Sequence, residues 1–131
     1  KKLLKLILKE LKKINDYNDN DKVIEKETII ATNITLKNII LQEIEKYGNN
    51  ADLNHIDVSN VTDMRFMFSI SNSKFNGDIS NWNVSNVTDM SYMFQCSKFN
   101  GDISKWNVSN VTDMCDMFAS SQMQNIPDWY N

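Results

Sequence analysis

His55 is the only histidine in the chain, and it stands between Asn54 and Asp57. An imidazole near a carboxylate is a candidate general base, yet no motif places a serine or cysteine to serve it as nucleophile. The arrangement predicts a surface hydrogen-bond partner, and one histidine excludes a multi-histidine zinc site. Asp63, Asp89 and Asp113 recur in one sequence context, as do Asn60, Asn86 and Asn110. A column of carboxylates could supply calcium with oxygen ligands. The preferred reading is that each aspartate caps its own turn and each asparagine satisfies neighbouring backbone, because the glycine-rich nonapeptide of calcium-binding coils is absent. Met64/Met67, Met90/Met93 and Met114/Met117 repeat a Met-x-x-Met spacing that copper(I) accepts, but methionine also fills irregular gaps in a core, and packing is the expectation. Cys96 and Cys115 lie at neither a repeat interval nor a metal-ligand spacing, so two free, partly buried thiols are expected. Asn60-Val61-Thr62, Asn86-Val87-Thr88 and Asn110-Val111-Thr112 match the glycosylation pattern, but asparagines in an inward or laddered column leave no room for a glycan. The expectation is a protein with no catalytic residues, no metal and no cofactor.

The elements that position these residues are set by an internal repeat. Ser59-Asn60-Val61-Thr62-Asp63-Met64 recurs unchanged at Ser85–Met90 and at Ser109–Met114, at intervals of 26 and 24 residues. Lys74-Phe75-Asn76-Gly77-Asp78-Ile79-Ser80 recurs at Lys98–Ser104, so the two-residue excess falls between Phe68 and Phe75, where an exposed loop can absorb it. Toward the end, Met123, Ile126 and Trp129 stand for Phe99, Ile103 and Trp106. A unit this short buries Phe75, Ile79, Trp82, Val84, Val87, Met90, Met93 and Phe94 only by stacking on its neighbours. The spacing predicts an extended segment over Ile79–Val84 and a helical or 3₁₀ return through Val87, Met90, Met93 and Phe94. Phe75 should then stack near Phe99, Trp82 near Trp106, and Met90 near Met114.

Ahead of the repeats, Leu36, Ile39, Ile40, Ile44 and Tyr47 share one helical face, with Thr32 as N-cap and Gly48-Asn49-Asn50 as the stop. This predicts a helix over 33–47 that covers the first unit, while Lys26–Ile30 is either a short strand or an extended lead-in. Residues 1–14 carry six lysines against one glutamate, with Leu4, Ile7, Leu8, Leu11 and Ile14 at helical spacing. Such a helix can lie on an anionic membrane, but the expectation is that it packs against the domain or a second copy. Asn15–Asp21 is polar and acidic and reads as a linker.

The resulting expectation is an α/β repeat protein: a short right-handed leucine-rich-repeat-like solenoid of about three coils with an N-terminal helical cap. Its organisation divides into 1–21 (basic amphipathic helix and acidic linker), 22–50 (capping segment with helix 33–47) and 51–131 (repeats with a C-terminal cap). A net charge of −3 argues against a nucleic-acid partner. No apolar run approaches the ~20 residues of a membrane span, so membrane contact is confined to residues 1–14. The lysine-interrupted start does not read as a signal peptide.

The motif Phe-Asn-Gly-Asp-Ile-Ser-x-Trp-Asn-Val-Ser-Asn-Val-Thr-Asp-Met-x-x-Met-Phe resembles the BspA-like leucine-rich repeat family of bacterial surface proteins. It is closest to the branch first described as a mycoplasma domain of unknown function. The resemblance runs from about Thr32 through Asn131. It implies cell-surface or secreted proteins that adhere to host matrix or to other cells through protein contacts, with no catalytic residues. The expected function is therefore a non-catalytic protein-binding module, with Ser80, Asn81, Asn83, Ser104, Lys105 and Asn107 as outward contact residues on a flat, sheet-like face. The alternative is a structural or self-assembly protein that uses the basic N-terminal helix for oligomerisation or surface anchoring.

Overall fold

The computed structural model describes residues 1–21 and 25–130, with side chains described for 1–11 and 25–130. The element order is α1 (Lys2–Asp21), β1 (Ile29–Ile30), α2 (Leu36–Tyr47) and β2 (Ile56–Asp57). β1 and β2 pair in parallel, with Ile29 opposite Ile56 and Ile30 opposite Asp57. The short-strand alternative is thus the one that forms ahead of α2. α1 continues through the acidic stretch expected as a linker, although its aspartates sit at the end of the helix dipole that disfavours carboxylates. No physical reason for this continuation is visible in the sequence.

The leucine-rich-repeat-like solenoid of three coils does not form. Regular structure among the described residues is two helices and one two-stranded parallel sheet, and the repeats carry isolated bridges in place of strands. The reason is local. In each unit, three Asp or Asn side chains accept a hydrogen bond from the backbone N–H two residues on: Asp78 from Ser80, Asn83 from Ser85, and Asp89 from Ser91. Such Asx-turns compete with extended backbone. Each is followed by a tight turn in which the N–H of Trp82, Val87 or Met93 donates to the carbonyl three residues back. Ile79–Val84 is therefore folded rather than extended, and the expected helical return is a pair of turns. Phe66 and Tyr92 hold a left-handed φ of 56° at the third position of their Met-x-x-Met turns, and Asp116 holds 51°, which also excludes a continuing right-handed helix.

These turns direct both of their flanking apolar residues inward, and successive units lie in register. Asp63, Asp89 and Asp113 are bridged in parallel, as are Asp52 and Asp78. The Met64, Phe66 and Phe68 N–H groups donate to the carbonyls of Asp89, Ser91 and Met93, and the Met90, Tyr92 and Phe94 N–H groups repeat this on Asp113, Cys115 and Met117. Trp82 stacks on Trp106 at 6.5 Å and Trp106 on Trp129 at 6.4 Å. Phe75 stacks on Phe99 at 6.0 Å, and Phe94 lies 5.5 Å from both Phe68 and Phe118. Each indole N–H of the tryptophan column donates to a carbonyl in the preceding unit, those of Leu53, Ile79 and Ile103, so the largest core side chains leave no buried polar atom unmet. Met64, Met90 and Met93 are fully buried in this core.

The first unit is closed by the N-terminal segment. Leu36 and Ile40 of α2 are completely buried, and Ile39 and Ile44 pack on the same core. The helix starts at Leu36, after a turn over residues 33–35 in which the Thr32 N–H donates to Thr35 Oγ1 and the Thr35 N–H to Thr32 Oγ1. Asn33 takes the place of a preceding repeat: its Oδ1 accepts from the Thr62 N–H at 2.9 Å and its Nδ2 donates to Thr62 Oγ1 at 2.8 Å.

Candidate protein-binding face

The six residues expected to face outward divide into two groups. Four hold the turns that carry them. Asp78 Oδ1 accepts from both the N–H and the hydroxyl of Ser80, and Asp102 Oδ1 does the same for Ser104. Asn83 Oδ1 accepts from the Ser85 N–H and hydroxyl, and Asn107 Oδ1 from the Ser109 N–H. The other two, Asn81 and Lys105, hold no such turn, and all six except the half-buried Ser80 are exposed. Asn81 is fixed only through its backbone, whose N–H donates to Asn54 Oδ1 at 2.8 Å.

The face is not a flat sheet but a run of depressions. Asn81 and Asn83, together with Thr28, Asn54 and Asp57, line one of about 240 Å³. Ser80, Asn81, Asp102 and Lys105 line a second of about 100 Å³. Asp102 and Ser104 continue into a third of about 410 Å³, closed on its far side by Asn125–Asp128. Shared residues make the three contiguous: Asn81 joins the first two and Asp102 the last two. Asp102 and Asp128 belong to this surface and were not among the expected contact residues. The recurrence of Asp78 at Asp102, always two residues before an outward serine, is the signal that would have found the first.

Charge on the face is negative. Asp57, Asp102 and Asp128 line the depressions, and Lys105 is the one lysine or arginine among the lining residues. The Ser59 hydroxyl and N–H hold the Asp57 carboxyl below its ordinary value. Ser80 does the same for Asp78, with help from Asn54, and Ser104 does so for Asp102, with help from Lys105. These carboxylates stay ionised and anchored at neutral pH.

The other candidate chemistry resolves by position. Asp63, Asp89 and Asp113 each accept from the N–H two residues on, and Arg65 pairs with Asp63 at 2.9 Å, which lowers that carboxyl further. Among the described residues, no group of three or more histidine, cysteine, aspartate or glutamate side chains is arranged to hold a metal ion. Asn86 and Asn110 are laddered, donating from Nδ2 to the carbonyls of Ser59 and Ser85. Cys96 and Cys115 are free and exposed rather than partly buried. His55 is not the surface partner expected: its side chain is 9% exposed, beneath α2, with Nε2 3.3 Å from Glu43 Oε1. The geometry misses a hydrogen bond, and both imidazole nitrogens and Glu43 Oε2 are buried without a partner. The sequence carried half of this signal: at 100° per residue Glu43 falls between Ile39 and Leu36 on the apolar face of α2, but nothing in the chain order marks His55 as the residue beneath it.

A family model described as Mycoplasma protein of unknown function, DUF285, matches residues 12–130. No curated protein and no solved structure matches the chain.

Proposed function

The chain belongs to the DUF285 family, and from that premise we propose that it is a non-catalytic protein-binding module of a bacterial surface protein. The observation that carries this reading is the contiguous run of carboxylate-lined depressions from Asn54 through Asn81 and Lys105 to Asp128. The lining is about as polar as it is apolar, unlike the mostly apolar pocket that holds a small substrate. Small polar side chains over pre-formed turns suit a wet protein interface in which ordered water fills the gaps. The excess of carboxylates favours a partner surface rich in lysine or arginine. The likeness to BspA-type surface proteins supports adhesion to host matrix or to another cell, at a cell-surface or secreted location.

The test is direct binding of the immobilised protein to a panel of purified extracellular-matrix proteins. The same panel is then run with the Asn81→Arg/Asp128→Lys variant, which makes the face less acidic. Saturable binding that falls at least tenfold in the variant supports the face. Binding that the variant leaves unchanged moves the site elsewhere, and no saturable binding to any matrix protein defeats the adhesion reading.

A further inference from the structure

The first three turns of α1 present a large apolar surface without cover. Leu3, Leu4, Leu6, Ile7, Leu8 and Leu11 are each between 48% and 70% exposed. At 100° per residue, Leu3, Leu4, Ile7, Leu8 and Leu11 sweep roughly 140° of the helix, with Leu6 beyond Glu10 at its border. Lys1, Lys2, Lys5 and Lys9 occupy the opposite arc.

Two features decide what covers this face. The first is its shape. A coiled-coil seam would run through Leu4, Ile7, Leu11 and Ile14 and would then meet Asn18 and Asp21, which is short of the three or four heptads a stable coil needs. It would also leave Leu3 and Leu8 outside. A broad arc fits a planar apolar boundary better than a narrow seam. The second is charge. Residues 1–11 carry four lysines and one glutamate, a net +3, so a chain total of −3 leaves −6 on everything that follows. An anionic surface attracts the helix and repels the rest, which orients the acidic body away from it. No helix among the described residues is long and apolar enough to cross a membrane, so the contact is parallel to the surface.

We propose that Lys1–Leu11 is an interfacial helix that docks the protein on anionic phospholipid, its leucine and isoleucine side chains entering the headgroup boundary and its lysines contacting phosphate. The experiment sediments the full chain with vesicles of phosphatidylcholine containing about one third phosphatidylglycerol, and with phosphatidylcholine alone. The expected result is binding to the anionic vesicles only, weakened by salt. Lys5→Glu/Lys9→Glu should weaken it roughly twentyfold or more, at about fivefold per lysine neutralised. Leu4→Ser/Leu11→Ser should also release the protein. Both variants should melt like the parent. Equal binding to neutral vesicles, or none to anionic ones, overturns the proposal. So does concentration-dependent self-association without vesicle binding that Leu4→Ser/Leu11→Ser abolishes, which would make the occupant a second copy.

Discussion

Close approach between units is decided by single atoms at Gly77 and Gly101. A Cβ at Gly77 would stand 1.9 Å from the Ala51 carbonyl oxygen and 2.6 Å from the Phe75 ring, whereas at Gly101 the nearest backbone atom, the Gly77 carbonyl oxygen, is 3.2 Å away. Gly77→Ala must therefore push two layers apart, and thermal unfolding should show a loss of about 1–3 kcal/mol, the range for overpacking. Gly101→Ala should cost less, because its clash is with the Phe99 side chain at 2.6 Å and not with backbone, although that ring is stacked on Phe75 and Phe94 and must shift as a whole. The Asx-turns permit a similar comparison. Asp89 Oδ1 accepts from both the N–H and the hydroxyl of Ser91. Asp89→Ala removes both bonds and should destabilise by about 1 kcal/mol, as loss of a comparable cap does, while Asp89→Asn keeps an acceptor and should retain most of the stability. Equal melting of the alanine and asparagine variants would deny the side chain this role.

The helices differ in what they contribute. α2 is part of the core: Ile40 is fully buried, while Ile34, just before the helix, is 88% exposed. Ile40→Ala should cost about 2–5 kcal/mol and Ile34→Ala less than about 0.5 kcal/mol, both read from denaturant unfolding. α2 also places Glu43 over His55; the helical period put Glu43 on the buried face, but not His55 beneath it. α1 stands apart, with every described side chain of residues 1–11 exposed. Removing residues 1–11 should leave the melting temperature of the remainder unchanged; a large drop would mean that the helix is a structural part of the body. The basic amphipathic pattern of α1 was legible from spacing alone. That the helix continues through Asn15–Asp21 was not.

Across the whole molecule, the ionised carboxylates tie stability to pH. Asp57, Asp63, Asp78 and Asp102 are all held below their ordinary 3.8 by hydrogen bonds or by Arg65. A group whose folded pKa is depressed stabilises fully above its unfolded value, and the contribution is lost as pH falls through the folded one. Stability should therefore be level from neutral pH down to about 4 and fall below that; a melting temperature that rises as pH drops from 4 to 3 would contradict the sign. The sequence by itself determined the register: identical hexapeptides at intervals of 26 and 24 residues allow only a pairing that superposes Trp82 on Trp106 and Phe75 on Phe99, since any slip would bring polar residues against the aromatic columns. It also determined which faces of α1 and α2 are apolar, because helical periodicity is a local property. Tertiary structure decided the rest. The apolar spacing inside each unit fits strand, helix and consecutive turns alike. The turns win because Asp and Asn at three positions per unit bind the backbone N–H two residues ahead, a choice that is stable only when the next layer accepts the remaining N–H groups. Burial of His55 and exposure of Cys96 and Cys115 followed from the same stacking, which sets distances between residues that the chain order keeps apart.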